Sequence, residues 1–303
     1  MSIEEGGLFM AEYRLSYKGV SAVVESAGAE LISFIPQNGR EYIWQADPAV
    51  WPNHTPMLFP VCSATLNNTL KIDGVPYPLG KHGFTRKVPF ELGRHGADFV
   101  ELVYASNPET LRQYPFEFLL HVTHAIAEDG FSTTFLVENK SEKRMPLCIG
   151  GHPGFTCPLY EGEAFEDYQL VFEKPESGRN LTLSDGTCID GEEQIPLQGG
   201  TILPLDHALF DQRDALVFEK LNSNVVKLVN AKTGRGFAFD FHKFDVLAVW
   251  TMPNKKGNYL CLEPWCGLPA VKGETGNFED KPYVKFLNPG ESFQAGYLMT
   301  VIE

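Results

Sequence analysis

Residues 225–241 read Val225-Val226-Lys227-Leu228-Val229-Asn230-Ala231-Lys232-Thr233-Gly234-Arg235-Gly236-Phe237-Ala238-Phe239-Asp240-Phe241. Phe237, Phe239 and Phe241 share one face of a β-strand, because successive side chains alternate between the two faces of a sheet. The glycines between the two apolar runs tolerate the positive φ that tight turns demand. The stretch therefore predicts an antiparallel hairpin with one apolar face.

The same pattern, two alternating runs separated by a glycine-containing turn, recurs along the chain. Three further hairpins are predicted where an Asn-Gly or Asp-Gly pair separates two alternating runs, at Asn38-Gly39, Asp73-Gly74 and Asp129-Gly130. The first of these pairs separates Leu31–Ile35 from Tyr42–Trp44. Only Pro108–Tyr114 is typical of a helix, of about two turns. The pattern predicts an all-β protein, either a large two-sheet sandwich or a barrel, with residues 1–303 as a single domain.

Composition narrows the class of ligand. The chain has 303 residues and is 43% hydrophobic, enough for a large core, and its net charge is −14. This acidity argues against nucleic acid and against an anionic membrane surface as partners, and it favours a neutral or weakly charged small molecule. No apolar run approaches the ~18 residues of a membrane span.

The cysteines indicate a reducing compartment. None of the six lies in a Cys-x-x-Cys pair or at a zinc-ribbon spacing; they are Cys62, Cys148, Cys157, Cys188, Cys261 and Cys266. A chain of this length is stable without disulfides, and its start, Met1–Gly6, is acidic where a targeting segment is basic. We therefore expect a reduced, cytoplasmic protein.

Three distant segments each place a proton-carrying side chain beside glycine, proline or an aromatic ring. They are Gly150-Gly151-His152-Pro153-Gly154-Phe155, Lys81-His82-Gly83-Phe84-Thr85-Arg86 and Leu262-Glu263-Pro264-Trp265-Cys266-Gly267. Two imidazoles and one carboxylate suit acid–base chemistry on a small polar molecule. A sugar fits them well, because its apolar face can rest on Trp265 while its hydroxyls take hydrogen bonds.

Glu263 is the candidate general base. It follows the apolar run Tyr259–Leu262 and precedes Pro264, which cannot donate to a sheet ladder, so we expect it at a strand end near a sheet rim. Partial burial between Leu262 and Trp265 would raise the pKa of its carboxyl. The alternative is an ordinary solvated glutamate.

His152 lies between Gly151 and Pro153, where the backbone is restricted, and the preceding glycine pair would allow close approach to a ligand. The alternative is a histidine that packs in a turn and bonds a backbone carbonyl.

His82 precedes Gly83 in a small basic cluster with Lys81, Arg86 and Lys87. The alternative interpretation of His82 is an ordinary exposed loop residue. We expect Lys81 and Lys87 to be exposed.

Other chemistries find little support. His121 and His124 are three residues apart in a predicted strand, so they point to opposite faces and cannot share a metal ion. There is no His-x-His or His-Glu-x-x-His pattern, no Gly-x-Ser-x-Gly elbow, and no phosphate- or dinucleotide-binding loop. Cys157 and Cys266 are expected to be buried apolar residues. We expect neither a metal nor a cofactor.

Together the motifs resemble the aldose 1-epimerase (galactose mutarotase) superfamily, particularly its bacterial branch. The likeness rests on His-Gly-Phe-x-Arg at His82–Arg86, Gly-Gly-His-Pro-x-Phe at Gly150–Phe155 and Glu-Pro-Trp at Glu263–Trp265. Pro56–Pro60 and Asp214–Phe218 also resemble that branch. The resemblance implies a supersandwich of antiparallel strands, a sugar cleft on one sheet, no cofactor, and an isomerase that interconverts the α and β anomers of an aldose.

The resemblance also implies roles. Glu263 would be the general base on the C1 hydroxyl, and His152 the general acid on the ring oxygen. His82 would hydrogen-bond the sugar, and Asp214, with Asp206 as the alternative, would bind hydroxyls. Two further residues are placed at the cleft wall, Arg86 and Trp265.

One departure from the family pattern affects the substrate. The family carries an arginine shortly after Phe-Pro, whereas here Phe59-Pro60 is followed by no basic residue before Lys71. Replacement donors would be Asn53, His54 or Asn67. The alternatives are a hexose-phosphate 1-epimerase, which the basic cluster favours, and a non-catalytic carbohydrate-binding or regulatory module on the same fold. The sequence leaves the oligomeric state open.

Overall fold

The structure is a computed structural model that describes residues 10–303. Its strands up to residue 156 are β1 Glu12–Tyr17, β2 Val20–Glu25, β3 Glu30–Ile35, β4 Met57–Leu58, β5 Thr69–Ile72, β6 Val75–Pro78, β7 Glu91–His95, β8 Phe99–Ala105, β9 Phe118–Ile126, β10 Gly130–Asn139, β11 Met145–Leu147, β12 Ile149–Gly151 and β13 Gly154–Thr156. The others are β14 Tyr168–Phe172, β15 Arg179–Ser184, β16 Cys188–Gln194, β17 Ile202–Pro204, β18 Ala215–Glu219, β19 Val225–Asn230, β20 Gly236–Asp240, β21 Val246–Trp250, β22 Tyr259–Cys266, β23 Ala270–Val271, β24 Lys285–Leu287 and β25 Ser292–Ile302.

Helices are few and short. The α-helices are α1 Pro108–Gln113 and α2 His207–Asp211, and the 3-10 turns are Leu66–Asn68, Thr85–Lys87, Phe165–Asp167 and Phe278–Asp280. No helix in the described range is long and apolar enough to cross a membrane. The acidic start, Met1–Gly6, lies outside the described residues.

Two antiparallel sheets form the body of the molecule. The larger has nine strands in the order β17-β14-β19-β20-β25-β10-β9-β8-β7, and the smaller runs β18-β21-β22-β12-β4 with β13 also paired to β22. Their inner faces meet through aromatic rings: Phe155 of β13 lies 4.5 Å from Phe237 of β20 and 5.7 Å from Phe239, centroid to centroid. Each buried phenylalanine contributes roughly 1.5–3 kcal/mol. The fold is therefore the predicted sandwich, not a barrel.

Most of the predicted hairpins form. β19 and β20 pair antiparallel around the turn at Lys232–Arg235, with Phe237, Phe239 and Phe241 buried. The pairs β5–β6 and β9–β10 form around Asp73-Gly74 and Asp129-Gly130. The predicted helix is α1, capped by Asn107 and ending before Tyr114. α2 was not predicted, since its single turn is too short to show a helical period.

The hairpin predicted at Asn38-Gly39 forms only in part. The chain reverses there, and Tyr42 N–H donates to Phe34 O of β3 at 3.0 Å, but no ladder follows. β3 belongs to a separate three-stranded sheet, β1-β2-β3, whereas Ile43 forms an isolated bridge with Phe155 of the smaller sheet and Trp44 N–H donates to Gly154 O at 2.9 Å. Apolar residues after a turn are buried equally well by a strand of another sheet. The sequence pattern does not distinguish the two outcomes.

The placement of Glu263 at a strand end is also wrong. β22 is an inner strand, Glu263 lies inside it opposite Ala248, and Pro264 is accommodated opposite Leu247. The backbone nitrogens of Leu262 and Pro264 point to the side of β22 on which β12 and β13 lie. The chain is not paired with β22 between these two strands. There Leu262 N–H reaches Pro153 O at 3.2 Å, and proline sits two residues on without breaking a ladder bond.

Candidate active site

A cavity of about 220 Å³ lies on the face of the smaller sheet that points away from the larger sheet. It brings together all the residues proposed for the site, which are His82, Arg86, His152, Asp214, Glu263 and Trp265. Glu263 and Trp265 reach it from β22, because residues two apart in a strand share a face. His152 reaches it from the break between β12 and β13.

Glu263 and His152 meet on the cavity floor. Glu263 Oε2 lies 3.1 Å from His152 Nε2, and both side chains are buried. Burial raises the pKa of the Glu263 carboxyl well above its usual range. Burial, with a smaller effect from the Arg86 cation, lowers the pKa of His152 to about 3. Both shifts have one cause: a desolvated site disfavours the charged form of either group.

Several polar atoms of the cavity lack partners. Among the described residues, no group hydrogen-bonds His152 Nδ1, Glu263 Oε2 or Trp265 Nε1, although each atom is buried. The 3.1 Å contact from His152 to Glu263 Oε2 does not have the alignment of a hydrogen bond. Buried polar atoms without partners carry a desolvation penalty of about 1–3 kcal/mol each. A ligand with several hydroxyls would satisfy them.

Two tryptophans that the sequence analysis did not single out hold the His152 ring. Trp51 stacks on the imidazole with centroids 5.0 Å apart, and Trp250 meets it edge-on at 5.5 Å. Both also line the cavity. Neither lies in the three motif segments at residues 81–86, 150–155 and 262–267, so no motif marked it. Aromatic packing on two sides fixes the ring orientation.

His82 presents a defined hydrogen-bond donor. Ser63 N–H donates to His82 Nδ1 at 3.0 Å, so the neutral ring carries its proton on Nε2. Burial lowers the pKa of His82 well below its usual range, which keeps the ring neutral. Its ring lies 5.5 Å from that of His152. The sequence alternative of an exposed loop position is therefore excluded, since His82 is buried.

Charged side chains form the cavity wall. Arg86 comes from the 3-10 turn at Thr85–Lys87, and Asp214 lies between α2 and β18 with φ 67°. Lys81 is exposed as predicted, but it also lines the cavity, and its Nζ contacts Gly186 O at 3.5 Å in the turn between β15 and β16. That hairpin covers one side of the site.

The structure distinguishes between the alternative residues proposed for sugar binding. Asp206 caps α2 by accepting Ala208 N–H at 2.8 Å and does not line the cavity, so Asp214 is the aspartate of the site. The proposed replacements for the family arginine are also outside the cavity lining, namely Asn53, His54 and Asn67. The cations present there are Lys81 and Arg86.

The glycine pair before His152 serves packing. A Cβ on Gly150 would lie 2.7 Å from Trp265 Cδ1, and one on Gly151 would lie 2.7 Å from Tyr297 Cε1. The expectation that these glycines give room to a ligand is therefore wrong. They allow Trp265 and Tyr297 to close against the strand.

An antiparallel supersandwich with an acid–base pair and hydrogen-bonding groups in a pocket on one sheet defines the class of mutarotase-like proteins. The aldose 1-epimerase family model matches residues 12–300, and the chain belongs to this family. It is 35% identical over 286 residues to chromosomal protein LacX of Lactococcus lactis subsp. lactis, covering 92% of this chain and 95% of LacX.

Two solved structures superpose on nearly the whole of this chain. A galactose mutarotase related enzyme from Lactobacillus acidophilus superposes with a TM-score of 0.90 at 30% identity, over 97% of this chain and 98% of that one. A galactose mutarotase-like protein from Lactobacillus casei superposes with a TM-score of 0.88 at 26% identity, over 96% and 100% of the two chains. These similarities establish the family and the fold.

Proposed function

We propose that this protein is a cofactor-independent aldose 1-epimerase, an isomerase that interconverts the α and β anomers of an aldose. The supporting observation is the buried contact between Glu263 and His152, 3.1 Å apart, on the floor of a cavity lined by unpartnered polar atoms. A base and an acid so close can act on two oxygens attached to one carbon, and in a sugar ring these are O1 and O5 on C1.

The proposed reaction moves two protons. The Glu263 carboxylate takes the proton of the C1 hydroxyl, and the His152 imidazolium gives a proton to the ring oxygen. The C1–O5 bond breaks and the aldehyde forms, leaving Glu263 protonated and His152 neutral. Rotation about C1–C2 presents the other carbonyl face, and the same transfers run backwards to close the ring.

Burial supports the shuttling of one proton. The desolvated site favours the neutral pair, in which Glu263 holds the proton. This is also the state that ring opening leaves behind. The charged pair differs from it only in which of the two residues, 3.1 Å apart, holds one proton. Neither state changes the net charge of the site, so the cycle avoids burying an unpaired ion.

The remaining groups would bind the sugar. His82 Nε2–H is a donor and Asp214 an acceptor for hydroxyls, and Trp265 offers an apolar surface for a ring face. Arg86 adds a charged donor in place of the missing family arginine. The cavity of about 220 Å³ is smaller than the ~300–1,000 Å³ of sites for drug-sized ligands. We therefore propose a monosaccharide substrate.

Anomer-exchange NMR tests the proposal. Purified protein is added to glucose, galactose and glucose 6-phosphate in turn, and the exchange between α and β signals is measured. Acceleration with any of the three supports the epimerase. A folded protein that binds a sugar without acceleration would instead be a carbohydrate-binding module, and the catalytic proposal would be wrong.

A hexose-phosphate substrate is the second candidate. It is favoured by the two cations on the cavity wall, Lys81 and Arg86, in a chain of net charge −14. Lys81→Met should then raise KM for glucose 6-phosphate about 10–150-fold, because a charged hydrogen bond is worth about 1.5–3 kcal/mol, and leave KM for glucose unchanged. Lys87→Met, on an exposed lysine outside the cavity lining, is the control. Equal effects on both sugars would exclude phosphate recognition by Lys81.

We also propose that residues 1–303 work as one domain in the cytoplasm, with a small sugar as ligand and neither nucleic acid nor membrane as partner. One apolar cluster extends from Leu15 to Met299 and joins both large sheets, which supports a single domain. The free cysteines of the described chain are consistent with a reducing compartment.

A further inference from the structure

The proposed reaction leaves unused one buried thiol that lies beside the acid–base pair. Cys261 lies two residues before Glu263 in β22, so both side chains point to the same face of the sheet. The Cys261 thiol, a Glu263 carboxylate oxygen and an imidazole nitrogen of His152 lie within 4.8 Å of one another, and all three residues are buried. A free, buried thiol beside the acid–base pair is not needed for epimerisation.

We propose that Cys261, His152 and Glu263 form a binding site for one zinc-type ion that inhibits the enzyme. Thiolate, imidazole and carboxylate are the ligands that Zn²⁺ takes in proteins, at about 2.0–2.3 Å each. Donors around a tetrahedral ion lie ~3–4 Å apart. The donors that lie furthest apart need to approach by about 1–2 Å, and a fourth position remains for water or a ligand.

Two independent features favour an ion here. Glu263 Oε2 is buried without a hydrogen-bond partner and lies 3.1 Å from His152 Nε2, so coordination can use a donor atom that the protein leaves unsatisfied. Charge also balances, because a thiolate and a carboxylate neutralise the dipositive ion in a site that disfavours net charge. Binding replaces the thiol proton of Cys261 and the proton of the Glu263–His152 pair, and releases both to solvent.

Inhibition follows from the ligands themselves, and this part of the inference rests on the proposed function. An ion that holds Glu263 and His152 prevents both proton transfers. It also occupies the floor on which a sugar would lie. The proposed site differs from a catalytic zinc site marked by His-x-His or His-Glu-x-x-His. Its sequence pattern is a Cys-x-Glu pair on one strand, and a histidine from a distant segment completes it.

Cobalt absorption tests the binding without reference to activity. Co²⁺ bound through a thiolate gives a sulfur-to-metal charge-transfer band, so we expect this band on titration of the reduced protein, saturating at one ion per chain. Cys261→Ser should remove it. Cys157→Ala, at another buried cysteine, and Cys188→Ala, at the partly exposed one, should keep it. No band in the unchanged protein, or a band that survives Cys261→Ser, would overturn the proposal.

Zinc inhibition tests the consequence. Loss of even an outer-shell partner costs about 10–100-fold in metal affinity, so Cys261→Ser should raise the Zn²⁺ concentration for half-inhibition at least about tenfold. Mg²⁺, which prefers oxygen ligands, should not inhibit. The metal-free rate of Cys261→Ser shows that the variant folds. Equal Zn²⁺ sensitivity of variant and unchanged protein would refute the inhibitory site. An inactive protein that still shows the cobalt band would refute only the epimerase.

Discussion

At the scale of single residues, the proposed base and acid are Glu263 and His152, which lie 3.1 Å apart. Glu263→Gln keeps the shape of the side chain but removes the base. We expect anomer exchange to fall about 10²–10⁴-fold, the usual contribution of a general base, with the fold unchanged. The rate is measured by exchange NMR at saturating sugar. Glu41→Gln, which changes a half-buried carboxyl outside the cavity, should keep the rate. Full activity in Glu263→Gln would mean that another group is the base.

Asp214 and Asp206 provide a matched pair. Asp214 lines the cavity, whereas Asp206 caps α2 at a distance from it. Asp214→Asn should raise KM about 5–150-fold, because a hydrogen bond between a carboxylate and a sugar hydroxyl contributes about 1–3 kcal/mol. Asp206→Asn should leave KM and kcat unchanged, since asparagine caps a helix equally well. Steady-state kinetics on both variants check this. If the two variants have the same KM, Asp214 does not bind the sugar.

The sequence revealed these residues unequally. His82, His152 and Glu263 lie near glycine, proline or tryptophan, and these neighbours can be read from the sequence alone. Trp51 and Trp250 lie outside these motifs, although Pro52 follows Trp51, and their role depends on which segments lie side by side. The unpartnered polar atoms and the 3.1 Å contact are likewise properties of the packed protein alone.

Individual strands and turns were predictable where the signal is local. Asp73-Gly74 joins β5 and β6 with both residues at positive φ, as a tight hairpin turn requires. The turn at Asn38-Gly39 has a similar dipeptide, but only Gly39 has a positive φ, and a single bond from Tyr42 to β3 precedes the bridge from Ile43 to Phe155 of the smaller sheet. A dipeptide specifies the reversal of direction. It does not specify the partner of the following strand, which depends on distant residues such as Phe155.

Gly83 ties the His82 turn to its neighbouring segment. Its φ is +74°, and an added Cβ would collide with the backbone carbonyl of Phe59. That carbonyl also accepts Phe84 N–H at 3.2 Å, so it cannot retreat without losing a bond. We expect Gly83→Ala to reduce the free energy of unfolding and to weaken sugar binding by displacing His82.

Gly74→Ala is the control for this change, because Gly74 has nearly the same φ, +77°, and open space around it. Left-handed backbone costs an alanine about 1–2 kcal/mol at either position. Overpacking at Gly83 adds about 1–3 kcal/mol more. Urea unfolding measures both variants. Equal losses of stability would show that the Phe59 carbonyl is not in close contact.

Buried titratable groups act on the stability of the whole molecule with opposite signs. His82, His124 and His152 have lowered pKa values, so the unfolded chain binds more protons below its ordinary histidine pKa, and these residues favour the folded state as pH rises. Buried carboxyls with raised pKa values, such as Glu30, do the reverse. Their sum determines the stability profile, and a substitution isolates one contribution.

Glu30 lies at the start of β3 and ties it to the segment before β4. Its carboxylate accepts His54 N–H at 2.6 Å and Thr55 N–H at 2.7 Å. Burial raises the pKa of Glu30 from 4.5 to about 7, against these two hydrogen bonds and the Arg86 cation, which lower it. Between pH 4.5 and 7 the folded protein therefore binds a proton that the unfolded chain has released. Stability from this group is complete below pH 4.5 and is lost as pH rises through about 7.

Glu30→Gln removes this loss, because glutamine keeps an acceptor oxygen and never ionises. The free energies of unfolding of variant and unchanged protein should agree below pH 4.5. Above pH 7 the variant should be more stable by roughly 3 kcal/mol, the equivalent of the pKa difference. Urea unfolding across this range measures the difference. A difference that does not change with pH would show that Glu30 titrates alike in the folded and unfolded chains, and that the two backbone hydrogen bonds fully offset its burial.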